Sequence, residues 1–321
     1  MNLEKTSLRD AFGMALERIG ETNARVVVLD ADVAHPTRSC FFQERIPERF
    51  IQCGIGEQNM VGVAAGLATC GFIPVVVSFA AFLVRRCFDQ IYNSICFPHL
   101  NVKLIGAYCG YTTWGTGASH QTFDDIAIMN TIPNMTIINV GDCTETVGAM
   151  HAIMEHQGPV YLRIGRIDDA PCLFRNDVRF EIGAIREIHR GEHGTILSTG
   201  IMTSICDRAV DMLQNDGLSL GLYHVSTLKP IDATGLREIL MQNHDIFTVE
   251  NHSIIGGLGS IIREFSMDSG LCNRIVSIGI KDTFGKCGRP DDLLRYFGIS
   301  HTDIHRKVRN VLQNRSKGGN P

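Results

Sequence analysis

Residues 53–60 read Cys53-Gly54-Ile55-Gly56-Glu57-Gln58-Asn59-Met60 and run on through Val61-Gly62-Val63-Ala64-Ala65-Gly66-Leu67 to Gly71. Glycines come first, then one carboxylate, then small residues. Met60, Val63/Ala64 and Leu67 recur at helical spacing, which predicts a helix with Gly71 as its stop. Glu57 falls in the first turn of that helix. Peptide dipoles there favour an ionised carboxylate, so Glu57 is either an ordinary capping side chain or a carboxylate held for a ligand. The alanines and glycines behind it let another backbone or a flat ligand approach closely. A lone carboxylate in that position is able to bond a heterocyclic nitrogen.

The chain has 321 residues, a length suited to about two domains of ~150 residues each. Its balance, 44% hydrophobic and 20% charged, is that of a globular protein. A net charge of −4 gives no footprint for nucleic acid or an anionic membrane. The eleven cysteines are odd in number and include no C-x-x-C pair. They fit a reduced, cytoplasmic protein better than a disulfide framework or a zinc site. Met1 to Asp10 shows no signal-peptide hydrophobic region. The longest apolar run, Gly71 to Val84, is too short to span a bilayer and ends at Arg85-Arg86.

Several short apolar runs predict buried strands, among them Arg25–Leu29, Ile73–Val77, Asn101–Ala107, Asn134–Val140 and Pro159–Ile164. They alternate with helical patterns, which predicts a doubly wound α/β domain. Asp30-Ala31-Asp32 follows the first run, where such folds place ligand chemistry; helix capping or turn formation is the plainer role for aspartates there, but a site role is expected for at least one of the pair. Phe79 and Phe82 share a helix face at a strand-to-helix junction, as core or as a ligand platform. Gly110 to Gly117 is a turn-rich loop holding the only Trp, Trp114. It leads to His120, whose position beside a glycine loop suits proton transfer. Arg163 and Arg166 end another strand; two such guanidiniums clamp a phosphate or carboxylate, or form surface ion pairs. A break over 168–178 marks a linker, and a second α/β pattern fills 179–321. Within it Gly256-Gly257-Leu258-Gly259 opens a helix as a close-packing turn, with no P-loop or dinucleotide fingerprint around it.

Taken in order, these pieces resemble the C-terminal half of transketolase and its thiamine-diphosphate relatives. The matching residues are Asp30-Ala31-Asp32, Gly54 to Met60, Ser78-Phe79-Ala80-Ala81-Phe82, Ser119-His120-Gln121 with Asp124-Asp125, and Ile132-Pro133-Asn134-Met135. Further on come Thr227 to Asp232, and Glu250-Asn251-His252-Ser253 with the 256–259 glycines. Each is weak alone; their order carries the resemblance. It implies a pyrimidine-binding domain over 1–167 with a mostly parallel sheet, the linker, and a transketolase C-terminal-like domain over 179–321. It gives Glu57 the aminopyrimidine N1′ of thiamine diphosphate, Phe79 and Phe82 the pyrimidine face, and Asp32 a place near the cofactor. His120 then faces the substrate and Arg163 grips its phosphate. Arg85 stands where relatives carry a third aromatic, altering that cofactor wall.

The resemblance also implies what this chain lacks. The family holds the diphosphate and Mg²⁺ with a Gly-Asp-Gly motif, and no Gly-Asp-Gly occurs here. The expectation is a small subunit that works only with a large partner chain supplying those ligands, as an α2β2 assembly. No metal ligand is expected in this chain. Tyr108 stands where sugar-phosphate transketolases have His, and Trp114-Gly115-Thr116-Gly117 replaces their Gly-Glu-Asp-Gly. Tyr108, Trp114 and Thr116 are therefore expected to shape a non-standard substrate site, because hydroxyl-binding groups discriminate strongly. The implied reaction is transfer of a two-carbon ketol unit from a ketose-type donor to an aldehyde. A pyruvate-using acyloin synthase, a 2-oxo-acid dehydrogenase β subunit and a non-catalytic partner subunit are the alternatives.

Overall fold

The computed structural model describes residues 6–168, 172–174, 179–242 and 245–317. Of the expected linker, residues 169–171 and 175–178 lie outside the described residues. The first sheet is built from β1 (Val26–Asp30), β2 (Phe50–Gln52), β3 (Ile73–Phe79), β4 (Lys103–Ala107), β5 (Thr136–Asn139) and β6 (Val160–Ile164). The second takes β7 (Ile185–His189), β8 (Gly194–Ser198), β9 (Leu220–Val225), β11 (Ile246–Ser253) and β12 (Ile275–Ile280). Between β9 and β11 runs β10 (Thr227–Lys229), which leaves its neighbours and joins the edge of the first sheet.

The first sheet has the order β10-β5-β6-β4-β3-β1-β2, and β1 to β6 pair in parallel. Only β10 runs antiparallel, against β5. The second sheet, β12-β11-β8-β9-β7, is parallel except for the β7–β9 pair. Every residue of β1, β4 and β6 is buried, as parallel strands covered on both faces require. Period-2 alternation sends Val26 and Val28 to one face and Val27 and Leu29 to the other. The helix Leu8–Thr22 lays Leu8, Phe12, Leu16 and Ile19 on the first face. The helices Glu57–Thr69 and Ala80–Gln90 lay Met60, Val61, Ala64, Leu83 and Cys87 on the second. Each such large side chain contributes roughly 1.5–3 kcal/mol by leaving water.

The C-terminal ends of the parallel strands therefore meet at one edge. β1 delivers Asp30 and Asp32 there, β3 delivers Phe79, β4 Tyr108, and β6 the segment from Gly165 to Asp168. Some elements differ from their expected bounds. Phe79 closes β3 and caps the next helix, which begins at Ala80 and passes into one wider turn over Ile91–Cys96. No helix among the described residues is long and apolar enough to cross a membrane.

Candidate active site

Glu57 is the first residue of its helix, and Gly56 before it has no side chain to cap the N-terminus. The carboxylate is buried, at 4% exposure, and both its oxygens accept from one nitrogen, Nη1 of Arg86, at 2.8 Å. Arg86 is 45% exposed on its outer side. Its guanidinium lies 4.1 Å from the centroid of the Phe82 ring. A planar cation thus stacks on an aromatic face while holding a buried carboxylate, a geometry favourable on both counts.

Aromatic rings continue from there. Phe82 meets the His120 ring edge-on at 5.0 Å, and Phe79 lies 6.0 Å from Phe82 and 6.3 Å from His120. Tyr108 packs on Phe79 at 4.7 Å. It does so from a left-handed backbone conformation, φ 60°, uncommon for a bulky residue and held by its surroundings. Its hydroxyl accepts from Arg9 Nη1 at 3.0 Å and donates to the Pro36 carbonyl at 3.1 Å. His120 Nδ1 is engaged by Ser119 Oγ at 2.9 Å.

Beyond Tyr108 the rim is cationic. The Arg166 guanidinium sits 5.4 Å from the Tyr108 ring and 5.2 Å from the Trp114 ring. Its Nε is buried without a hydrogen bond among the described residues. Arg9 Nη2 donates to Asp168 Oδ1 at 3.0 Å, and Arg166 Nε lies 4.0 Å from Asp168 Oδ2. One half-exposed carboxylate therefore faces two guanidiniums.

The structure thus brings Glu57, Phe79, Phe82, Tyr108, Trp114 and His120 to one edge. Asp32 is nearby on an exposed turn with φ 63°, its N–H donating to Gln52 Oε1 at 2.9 Å. Gln52 Oε1 also receives Gly54 N–H at 3.0 Å, so it joins the end of β1 to the turn before Glu57. Asp30 points inward; Val33 N–H and Ser39 Oγ donate to it, and burial raises its carboxyl above the ordinary range. Thr116 lies on the exposed loop with its hydroxyl donating to the Thr113 carbonyl at 3.1 Å.

Two expected site residues lie elsewhere. Arg163 is 1% exposed inside β6. Its Nε donates to Asp125 Oδ2 at 2.7 Å, and its Nη2 to the Asn251 carbonyl at 2.7 Å. Tyr161 donates to the same Asp125 oxygen at 2.7 Å. Arg163 is therefore an ionic strut between the domains, and Arg166, three residues on, is the arginine that reaches the rim. Arg85 does not form a wall beside Phe79 and Phe82. It holds Asp124 in a two-nitrogen clamp at 2.9 and 2.7 Å, fixing the loop behind His120. Its neighbour Arg86 stands at Glu57 instead. Sequence reasoning passed over Arg86, Arg9 and Gln52. Arg86 had one visible signal, its position four residues after Phe82 on a helix.

The 256–259 turn does receive an anion, and that anion is the chain's own. Leu258 and Gly259 N–H groups donate to the Glu250 carboxylate at 2.7 and 2.9 Å. Complete burial pushes Glu250 up to about 7 despite these bonds.

A two-domain α/β chain with mostly parallel sheets belongs to the class of folds in which ligands bind outside the C-terminal ends of the strands. The chain is a member of the transketolase family. Residues 4–168 match the transketolase pyrimidine binding domain and residues 183–304 the transketolase C-terminal domain. It is 40% identical over 304 residues to the "Putative transketolase C-terminal section" of Methanocaldococcus jannaschii, covering 94% of this chain and 95% of that protein. It is 34% identical over 316 residues to the "6-deoxy-6-sulfo-D-fructose transketolase subunit SqwH" of a Clostridium species, covering 98% of each. A solved structure described as "Split gene transketolase, inactive beta4 tetramer" superposes with a TM-score of 0.88 at 39% identity, over 96% of this chain and 99% of that one.

Proposed function

We propose that this chain is the small subunit of a two-component transketolase-like enzyme. It moves a two-carbon ketol unit from a ketose-type donor to an aldehyde acceptor, with thiamine diphosphate as cofactor. The observation that supports this best is the Glu57–Arg86–Phe82 stack. A protonated aminopyrimidine is a flat cation with in-plane N–H groups, and the Arg86 guanidinium has the same character. The residues present therefore fit the group.

When bound, the cofactor supplies a nucleophilic carbon and an electron sink. Glu57 would accept a hydrogen bond from a ring nitrogen that carries a proton, and so favour the protonated ring, strengthened by the burial of its carboxylate. Phe82 and Phe79 would flank the ring. With Nδ1 held by Ser119, His120 has Nε2 to exchange protons with substrate oxygens. Asp32 sits at the neighbouring strand end. With no Gly-Asp-Gly in its sequence, the chain needs a large partner subunit for the diphosphate and Mg²⁺, in an α2β2 assembly. A split-gene relative described as inactive as a β4 tetramer accords with that need.

The rim supports a substrate with an anionic end. Arg166, set between Tyr108 and Trp114, and Arg9 would receive a phosphate or sulfonate once Asp168 yields. A relative named for a sulfonated ketose is compatible with such a substrate. Tyr108, Trp114 and Thr116 would set the shape around it.

The test is Glu57→Gln in the complex reconstituted with the large subunit. Activity is expected to fall about 10²–10⁴-fold with the fold retained. Unchanged activity would remove the role given to Glu57. The small subunit alone, supplied with thiamine diphosphate and Mg²⁺, is expected to show no turnover.

A further inference from the structure

Cys143 opens the helix Cys143–Glu155, with Asp142 as its N-cap. Asp142 Oδ1 accepts from Glu145 N–H at 2.8 Å, the ordinary capping bond. Its Oδ2 turns the other way and accepts Leu173 N–H at 2.7 Å and Phe174 N–H at 2.9 Å. One carboxylate thereby pins the segment between the domains against the start of that helix. The pinning seats Cys172, just before Leu173, over Cys143. The two sulfurs are 2.7 Å apart. That is well inside ordinary non-bonded separation, about 3.5–4.0 Å for carbon atoms.

We infer that Cys143 and Cys172 are a redox pair that closes to a reversible disulfide under peroxide. The two thiols have different surroundings. Cys172 is exposed, whereas Cys143 is buried. Burial, the facing sulfur of Cys172 and the Asp142 carboxylate push the Cys143 thiol up to about 12, so it remains protonated in neutral solution. Cys172 is thus the sulfur that meets the oxidant, because reactivity follows access and thiolate character. Its thiolate attacks one peroxide oxygen, the O–O bond breaks, a sulfenic acid forms, and the departing hydroxide takes up the proton the thiol had released to leave as one water. Cys143 sulfur then attacks the sulfenic sulfur. The S–S bond forms, the S–O bond breaks, and the Cys143 proton leaves with the hydroxyl as a second water. Two thiols are oxidised and one peroxide is reduced to two waters.

The bond would act on a segment that already spans two domains. Phe174 is buried against the His224 ring at 4.9 Å, and the Arg186 guanidinium lies over its ring at 5.1 Å. His224 Nε2 in turn bonds Glu145 Oε2 at 2.9 Å, on the helix that Cys143 begins. A covalent link at Cys172 would fix this crossing four residues after Asp168.

The test uses the full-length chain, reduced, treated with stoichiometric hydrogen peroxide, alkylated and mapped by mass spectrometry. A Cys143–Cys172 linked peptide is expected to dominate, to vanish with dithiothreitol, and to raise Tm by roughly 5 °C, as closing a loop of that length implies. In Cys143→Ser the sulfenic acid is expected to persist on Cys172, giving several-fold more dimedone adduct there than in the parent. Links from Cys172 to Cys70, Cys272 or Cys287 instead, or no linked peptide at all, would overturn the pairing. Dimedone adduct on Cys143 in Cys172→Ser, at a level equal to that on Cys172 in Cys143→Ser, would overturn the order of attack.

Discussion

Arg86 holds both oxygens of Glu57 and covers Phe82, so the ring that Glu57 is proposed to bind must displace it. Arg86→Met keeps an apolar stem over Phe82 while removing the charge. Breaking a fully buried ion pair costs about 3–5 kcal/mol, and a fully exposed one contributes about 0–1 kcal/mol. Glu57 is 4% exposed and Arg86 45%, which places this pair between those limits, near 1–2 kcal/mol. The small subunit carrying Arg86→Met is therefore expected to unfold at lower denaturant by that amount. In the reconstituted complex the same energy no longer opposes the cofactor. Thiamine diphosphate is then expected to bind about 5–30-fold more tightly, since 1.4 kcal/mol is a factor of ten. Unfolding in urea reads the first effect; titration by near-ultraviolet circular dichroism reads the second. Weaker cofactor binding with unchanged stability would refute the reasoning, because Arg86 would then be a working contact rather than a placeholder.

Arg166→Gln in the complex is expected to raise KM for an anion-ended substrate about tenfold, with little change for a neutral short-chain analogue; equal losses on both would remove the anion role. Stability should also depend on Glu250. Its carboxyl titrates near 7 in the folded chain against 4.5 as the reference, so between those values the folded chain holds a proton the unfolded chain has lost. The folded state is thus favoured at low pH and loses about 3 kcal/mol as pH rises from 4.5 through 7. Glu250→Gln is expected to flatten that slope in urea unfolding at pH 5 and pH 8, and parallel profiles of variant and parent would refute it.

The central strands are legible because continuous runs such as Val26-Val27-Val28-Leu29 and Val75-Val76-Val77 fit only a position buried on both faces. β2 and β10 have three residues each, too few for any period to register, and β12 is only half buried along Ile275–Ser277. β10 also pairs outside its own half of the chain, with β5, which no local pattern encodes. At the site, the order of small motifs points to Glu57, Phe79, Phe82 and His120, which the structure gathers at one edge. The arginines are harder. Arg163 lies inside a strand covered on both faces, and a charge there must be paired in the core. Its partner Asp125 comes from another element. Arg85 and Arg86 are three and four residues after Phe82, equally good by helical spacing. Their separation depends on Asp124 and Glu57, both distant in sequence.

These misplacements share a physical cause. Motif reading assigns each charged group to an external ligand, whereas a folded chain first gives it an internal counter-ion. The 256–259 turn takes Glu250, Arg163 takes Asp125, and Glu57 takes Arg86. Asp168 faces both Arg9 and Arg166. The partners differ in how firmly they hold. Those of Arg163 and Glu250 are fully buried and bound by several hydrogen bonds, so exchange would leave a desolvated charge bare. Arg86 and Asp168 are each about half exposed, so either can swing into water while keeping its hydration. Partner exposure thus separates the charges that build the fold from those open to ligand exchange. By that criterion Glu57, Arg9 and Arg166 are groups of this edge that a ligand can claim, and so is Arg85, whose partner Asp124 is 43% exposed. A chain with these charges internally paired can fold with no ligand at this edge.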